Sequence, residues 1–313
     1  LIKKTLMEKL GMAIQLLKEM DKLKILITGN RGFVGSATQK LLEENGHKVI
    51  GYDLMEGFDI RDRQQLDKFI NFERPDRILH LAAIARFAEA DANPILANET
   101  NIQGTRNVVG VAEKYHIPLV YSSTGSAIMP LDKFEPPYKE DIRACGNSVY
   151  GCSKAIAEFY VRQHTPHIVL RYAHIYGAEK RMHGLIGGFL DRINFGMKPI
   201  LYGGKQNNDF VYILDIAEAN MKALIAPWDK WNQIYNVGSG EELSAEEAGN
   251  IVCEIAGYTG GVEIKEGRTV DPSRFVFDTS KSERMLGYKA KYPFREGLID
   301  MFKKIEEEKN AKK

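Results

Sequence analysis

No stretch of this 313-residue sequence approaches the ~20 consecutive apolar residues needed to span a bilayer, so no membrane-crossing helix is expected. An excess of either charge is also missing. Lys and Arg number 43 against 42 Asp and Glu, and a net charge of +1 supplies no long-range attraction for nucleic acid or an anionic membrane surface. Cysteine is scarce. Cys145, Cys152 and Cys253 fall in no metal-ligand spacing, and an odd count argues against a disulfide framework. A metal-free protein of a reducing, cytoplasmic compartment is the expectation. Internal repeats and low-complexity linkers are absent too. The first 21 residues, LIKKTLMEKLGMAIQLLKEMD, place Leu and Met at helical spacing but have no apolar core or small-residue cleavage site of the signal-peptide kind. They read as a surface helix or frayed appendage, which Gly11 weakens by about 1 kcal/mol; a partner-binding helix is the alternative.

What is present is an alternation. The segments KILITG (24–29), HKVIGYD (47–53), RILHLAA (77–83), PLVYSS (118–123) and HIVLRYA (167–173) read as strands. SATQKLLEEN (36–45) and NIQGTRNVVGVAEKY (101–115) read as amphipathic helices between them. Strand and helix in alternation argue for an α/β fold, a doubly wound parallel sheet covered on both faces. After Ala173 the rhythm loosens. A strand DFVYILD (209–215) leads into a helix, a last helical stretch covers 244–257, and a polar tail follows. The expected organisation is a helical extension (1–21), a sheet domain (22–173, with 206–237 returning to it) and a smaller lobe (174–205 and 238–313).

Three pieces carry chemistry. In ITGNRGFVGSATQKLL, Gly29, Gly32 and Gly35 lie between the first strand and the first helix. Glycine there permits a tight turn, close approach of backbone to a pyrophosphate, and close helix–strand packing, while the helix N-terminus favours phosphate. Asp53, ending the second strand, can accept from both ribose hydroxyls and would repel a 2′-phosphate, favouring NAD over NADP. An incidental glycine turn is the bland alternative. Asp59, shortly after, is placed to reach an adenine amino group. In SVYGCSKAIAEFY, Tyr150 and Lys154 are four apart and share a helix face. Bringing a tyrosine from pKa ≈ 10 to about 7 takes ~4 kcal/mol of differential stabilisation, which a neighbouring ammonium and a nicotinamide cation would both favour. A plain surface contact is the alternative. In YSSTGSAIMP, three hydroxyls end a buried strand, either as a self-satisfying turn or as the floor of a site.

With TGNRGFVG, HLAA, NIQGTRNV, VYSST, YGCSK, LRYAHIYG, DFVYILD, YNVGSG and GRTVDPSRFVFDTSK in that order, the chain resembles the extended short-chain dehydrogenase/reductases from about Lys24 to Lys303. More narrowly, it resembles their NAD-dependent epimerase/dehydratase branch acting on nucleotide sugars. The resemblance implies a Rossmann domain with a smaller C-terminal substrate-binding lobe. It implies NAD held by Gly29, Arg31, Gly32, Phe33, Val34 and Gly35 at the loop, by Asp53, Asp59 and Ile60 on the adenosine side, and by Leu81, Ala82 and Ala83 after His80. Asn101, Ser122, Tyr172, Tyr150 and Lys154 complete that set. Tyr150 would take the proton from a sugar hydroxyl, usually at C4, while the hydride passes to NAD. Lys154 would bind the nicotinamide ribose and hold the phenolate. Thr124 falls where the family places its proton-relaying Ser or Thr, whereas Ser122 and Ser123 read as structural, satisfying backbone. The substrate side would be Ala85, Arg86, Thr124, Gly125, Ser126, His174, Leu185, Asn208, Arg268 and Phe275.

Several positions depart from the family pattern. Dehydratases of this branch follow the Thr with Asp-Glu, and decarboxylating members tend to keep a Glu. Gly125 and Ser126 cannot do that acid–base work, and Ser126 matches the C4 epimerases. Asn208 stands where a diphosphate-clamping Arg is usual and offers only neutral hydrogen bonds; Arg268 and Arg274 are substitutes, Arg268 in the better register. His174 replaces a common Asn, and reads also as a satisfied strand-end histidine. Phe275 is either a wall of the sugar pocket or plain core. LMEG, between the second and third strands, is shorter than usual. The expectation is C4 epimerisation of a UDP-hexose through a 4-keto intermediate. Alternatives are a 4-keto nucleotide-sugar reductase or dehydratase of the same family, or a non-catalytic dinucleotide-binding sensor. Homodimerisation through a four-helix bundle of 101–115 and 150–164 is implied as well.

Overall fold

The structure, a computed structural model, describes residues 22–129, 133–164, 166–178, 184–267 and 273–310. The expected helix over 1–21 and Arg268 lie outside the described residues. Strands β1 (Lys24–Thr28), β2 (Lys48–Tyr52), β3 (Arg77–His80), β4 (Leu119–Thr124) and β5 (His167–Tyr172) form one parallel sheet. A sixth strand, Gln233–Val237, closes its edge beside β5. The spatial order runs β2-β1-β3-β4-β5 and then Gln233–Val237. The connection after β1 therefore runs toward β2 and the connection after β3 runs the opposite way, toward β4, so a crevice opens at the carboxyl ends of β1 and β3, where open α/β sheets bind ligands.

Both faces of the sheet are buried, as near-continuous apolar strands require. Ile25, Ile27, Leu79, Val120, Ile168 and Leu170 point into one core, against the helices Phe33–Glu44 and Ile213–Leu224. Leu26, Ile78, Leu119, Tyr121 and Val169 point into the other, against Arg63–Glu73, Thr105–Tyr115 and Val149–Val161. Each such side chain contributes roughly 1.5–3 kcal/mol by leaving water. A third core joins Tyr176, Phe189, Leu201 and Tyr212 to Phe294, Leu298 and Met301 in the C-terminal part.

Local structure differs from expectation at three places. The helix read over 101–115 starts as a π-turn, Glu99–Gly104, before α-helix resumes at Thr105. Asn101 inside it bonds outward: its Oδ1 accepts from Ile84 N at 2.8 Å, and its Nδ2 donates to Ile84 O and Ser153 Oγ, each at 2.9 Å. Such turns mark places where a side chain is aimed off the regular helix. The strand read over 209–215 ends at Tyr212, because its partner His174–Tyr176 has only three residues. Helix begins at Ile213, with Asp215 in the first turn accepting from the backbone of Lys291 and Tyr292. The polar tail is a helix, Phe294–Asn310. Phe294, Leu298 and Met301, spaced along one face, bury in the third core, so packing there stabilises a segment whose average composition is hydrophilic.

Candidate active site

The first wall of the crevice is the glycine loop. A Cβ on Gly35 would sit 2.1 Å from Gly29 O, and one on Gly29, at φ +76°, would sit 2.8 Å from Ala82 N. The loop is thus drawn against both its own helix and the end of β3. Gly32 is the N-cap of helix Phe33–Glu44, with no side-chain cap and no acidic residue in the first turn. Its leading N–H groups, those of Phe33 and Val34 among them, are open to an anion. Asp53 directly follows β2 beside the loop, accepting from Arg31 N at 3.0 Å and from Met55 N at 2.9 Å. The Arg31 guanidinium turns instead to Glu56 at 2.6 Å. An uncapped helix N-terminus, a glycine turn without room for side chains and a carboxylate at the second strand fit a dinucleotide whose ribose carries free hydroxyls. Asp59 is bound bidentately by Arg61, whose guanidinium holds its carboxyl below the usual range, while Ile60 beside it is buried.

The floor comes from β3 and β4. Thr28 Oγ1 meets His80 Nδ1 at 2.6 Å, and the other ring nitrogen meets Thr105 Oγ1 at 2.9 Å. Burial drops His80 to about 3, so it serves as a neutral spacer. Leu81 N and Ala82 N approach the same Thr28 hydroxyl at 3.3 Å, which sets the chain from Leu81 to Ala83 against Gly29. The three hydroxyls of β4 then go three ways. Ser122 Oγ donates to His80 O at 3.2 Å and Ser123 Oγ to Glu158 Oε2 at 2.8 Å, so only Ser122 satisfies backbone. Thr124 bonds Tyr150.

Tyr150 and Lys154 project from helix Val149–Val161, whose N-terminus Ser148 caps by accepting from Gly151 N. Burial pushes the Tyr150 hydroxyl up to about 12, and the Thr124 hydrogen bond pulls the other way by favouring phenolate. Lys154 Nζ donates to Ser122 O at 2.7 Å and lies 4.3 Å from the centre of the Tyr121 ring. Burial brings it down to about 7, with Glu158 opposing. Phe87, which the sequence offered no reason to select, stands edge-on to Tyr150 at 5.3 Å between ring centres.

The substrate-side residues are placed unevenly. Ala85 and Arg86 are exposed on the segment after β3. Gly125 is sealed: a Cβ there would lie 2.4 Å from Phe277 Cζ and 2.5 Å from Phe275 Cζ. Phe275 is fully buried among Ile128, Met129, Tyr138 and Phe277, and meets the His174 ring edge-on. Ser126 Oγ and His174 Nε2 are 3.5 Å apart, at the limit of a bond, and burial lowers His174 to about 4. Asn208 sits in a short strand beside Phe275, its Nδ2 donating to Gln206 O at 3.2 Å. Arg274 is committed to Glu242 at 2.5 and 2.6 Å. The Tyr172 hydroxyl points to Asn220, at 2.5 Å, and Leu185 packs into the third core.

A parallel sheet with a phosphate-ready loop at its switch point, facing a Tyr–Lys helix and a strand-end Thr, defines a dinucleotide-dependent oxidoreductase-type site. Residues 25–238 match the model of the NAD dependent epimerase/dehydratase family, and the chain belongs to that family. A putative UDP-glucose 4-epimerase of Methanocaldococcus jannaschii is 32% identical over 299 residues, covering 88% of this chain and 95% of that relative. The crystal structure of a UDP-glucose 4-epimerase of Thermotoga maritima with UDP-glucose superposes with a TM-score of 0.84 at 28% identity, over 91% of this chain and 99% of the other. A UDP-glucose 4-epimerase of Thermus thermophilus in complex with NAD gives a TM-score of 0.79 at 28% identity, over 90% and 98%.

Proposed function

We propose that this chain is an NAD-dependent epimerase that inverts C4 of a UDP-hexose of the glucose/galactose type. The observation that carries the reading is the sealed position after Thr124. Phe275 and Phe277 close on Gly125, so the position after Thr124 brings no carboxylate to the relay hydroxyl. Elimination of water needs an acid and a base there; inversion does not. Relatives named UDP-glucose 4-epimerase support the substrate class.

Bound NAD supplies the hydride acceptor for the sugar carbon and the donor for its return. The chain's own groups handle the proton. Thr124 bonds the reacting sugar oxygen and passes its proton to Tyr150. Lys154, anchored on Ser122 O, places positive charge where it favours the phenolate. Gly29, Gly32 and Gly35 with Asp53 hold the dinucleotide, and Asn101 fixes Ile84, at the end of the β3 segment, to the helix that carries Tyr150. His174, Ser126 and Asn208 face the sugar nucleotide, and Phe87 shields the phenol.

A cytoplasmic homodimer completes the reading. Ile156 and Phe159 are exposed on the Tyr150 helix, 43% and 60%, where burial against a second copy's helices would cover them. The purified protein, given UDP-galactose and no added dinucleotide, is expected to form UDP-glucose and to release NAD on denaturation. UDP-galactose left unchanged, with stoichiometric oxidation of NADH or NADPH when a 4-keto UDP-sugar is supplied instead, would mark a reductase.

A further inference from the structure

We propose that Glu158 is a positioning residue of this site: paired with Arg171 and bonded to Ser123, it fixes the catalytic end of β4 against the helix that carries Tyr150 and Lys154. The use made of that geometry rests on the epimerase reading; the geometry itself does not.

Tyr150, Lys154 and Glu158 stand at i, i+4 and i+8 on one helix face, and all three are buried. Glu158 Oε1 accepts from Arg171 Nη2 at 2.7 Å. Its Oε2 accepts from Arg171 Nε at 3.2 Å and from Ser123 Oγ at 2.8 Å. Both partners of the ion pair are 1% exposed. Arg171 Nη1 reaches on to Glu140 O at 3.2 Å and Ile142 O at 3.0 Å, on the segment that leads to the Ser148 cap. One carboxylate therefore joins β4, β5, the catalytic helix and its approach. Ser123 lies between the two strand residues that meet the catalytic pair, Ser122 through its carbonyl and Thr124 through its hydroxyl. Side chains alternate along a strand, so holding Ser123 from the far face sets how its neighbours present.

An ion pair stripped of water is often replaceable by apolar groups without loss of stability, so stability alone gives little reason for one here. Its position gives a second reason. Lys154 is faced by Glu158 and Tyr150 on its own helix, by Tyr121 from β4 and by His80 from β3. Glu158 is faced by Arg171 on β5, by Tyr121 and by His167. Among these, Glu158 is the anion that opposes loss of the Lys154 proton by burial.

The test reads Lys154 directly, through the ¹³Cε resonance of labelled lysine assigned with Lys154→Met, in full-length protein without substrate. Glu158→Gln is expected to lower the Lys154 titration midpoint by about one unit, a tenfold change in proton affinity. It should move the alkaline limb of the kcat/KM profile down with it. Ser123→Ala leaves the ion pair in place and cuts only the link to β4. It is expected to lower kcat by about tenfold with KM within about twofold, and to speed hydrogen exchange at the Gly125 amide, which bonds Tyr172 O at 3.0 Å. A midpoint unmoved in Glu158→Gln overturns the proposal. Should that variant not fold, Ser123→Ala decides: wild-type exchange at Gly125 overturns it. Wild-type protein inactive on every UDP-hexose overturns the epimerase reading instead, and both spectroscopic outcomes still judge the clamp.

Discussion

Burial pushes Tyr150 up to about 12 and draws Lys154 down to about 7, so in the protein alone both groups are displaced toward their neutral forms. The phenolate then depends on what surrounds it: the Thr124 hydrogen bond and positive charge nearby. Tyr150→Phe keeps the ring against Phe87 and removes the proton acceptor. It should reduce kcat by ~10²–10⁴-fold while NAD released on denaturation stays at the wild-type level. The lysine also has a thermodynamic signature. Its folded pKa lies below the unfolded value, so between about pH 7 and 10.5 the unfolded chain holds a proton that the folded chain has released. Stability contributed by this residue therefore rises with pH across that window. Tyr150, whose folded pKa is raised, works in the opposite direction only above about pH 10. Melting temperatures of the NAD-free protein and of Lys154→Met, compared from pH 7 to 9.5, should show wild type gaining on the variant as pH increases.

At the scale of elements, the site depends on close approaches. Gly125→Ala forces a methyl into the Phe275 and Phe277 rings, and an overpacking cost of about 1–3 kcal/mol is expected in chemical unfolding. Gly35→Ala places its Cβ on a backbone carbonyl rather than on a movable side chain, so the loop must shift, and the protein should purify without NAD. The glycine loop, Asp53, Tyr150 and Lys154 were legible because their spacing is local: one strand–turn–helix and one helix face. The π-turn at Asn101 was not, since its cause is a set of bonds to Ile84 and Ser153 on other elements. Glu158 had a readable signal, four residues past Lys154, but its partner Arg171 arrives from another strand. Arg274 read as a spare cation, yet Glu242 claims it. The final helix was masked by its average polarity, although Phe294, Leu298 and Met301 already carried the spacing of a buried stripe.

For the whole molecule, two cores sandwich the sheet and a third ties the C-terminal part to strand Phe210–Tyr212. Leu298, fully buried in that third core, should cost about 2–5 kcal/mol on substitution by Ala. Phe159→Glu puts a charge on the surface proposed above for a second copy. Light scattering should then report half the wild-type mass, with the isolated fold intact by circular dichroism.

The sequence by itself determined the parallel α/β architecture, the phosphate-ready loop and the Tyr–Lys pair, because strand alternation, helix periodicity and turn chemistry act between residues a few positions apart. Tertiary structure decided the rest. It brought Phe275 and Phe277 onto Gly125 from 150 and 152 positions away, sent the three β4 hydroxyls to three different partners, and buried one ion pair behind the helix that carries Tyr150 and Lys154. Those choices follow from close packing and from the need to satisfy each buried polar group, and both are settled only when distant segments meet.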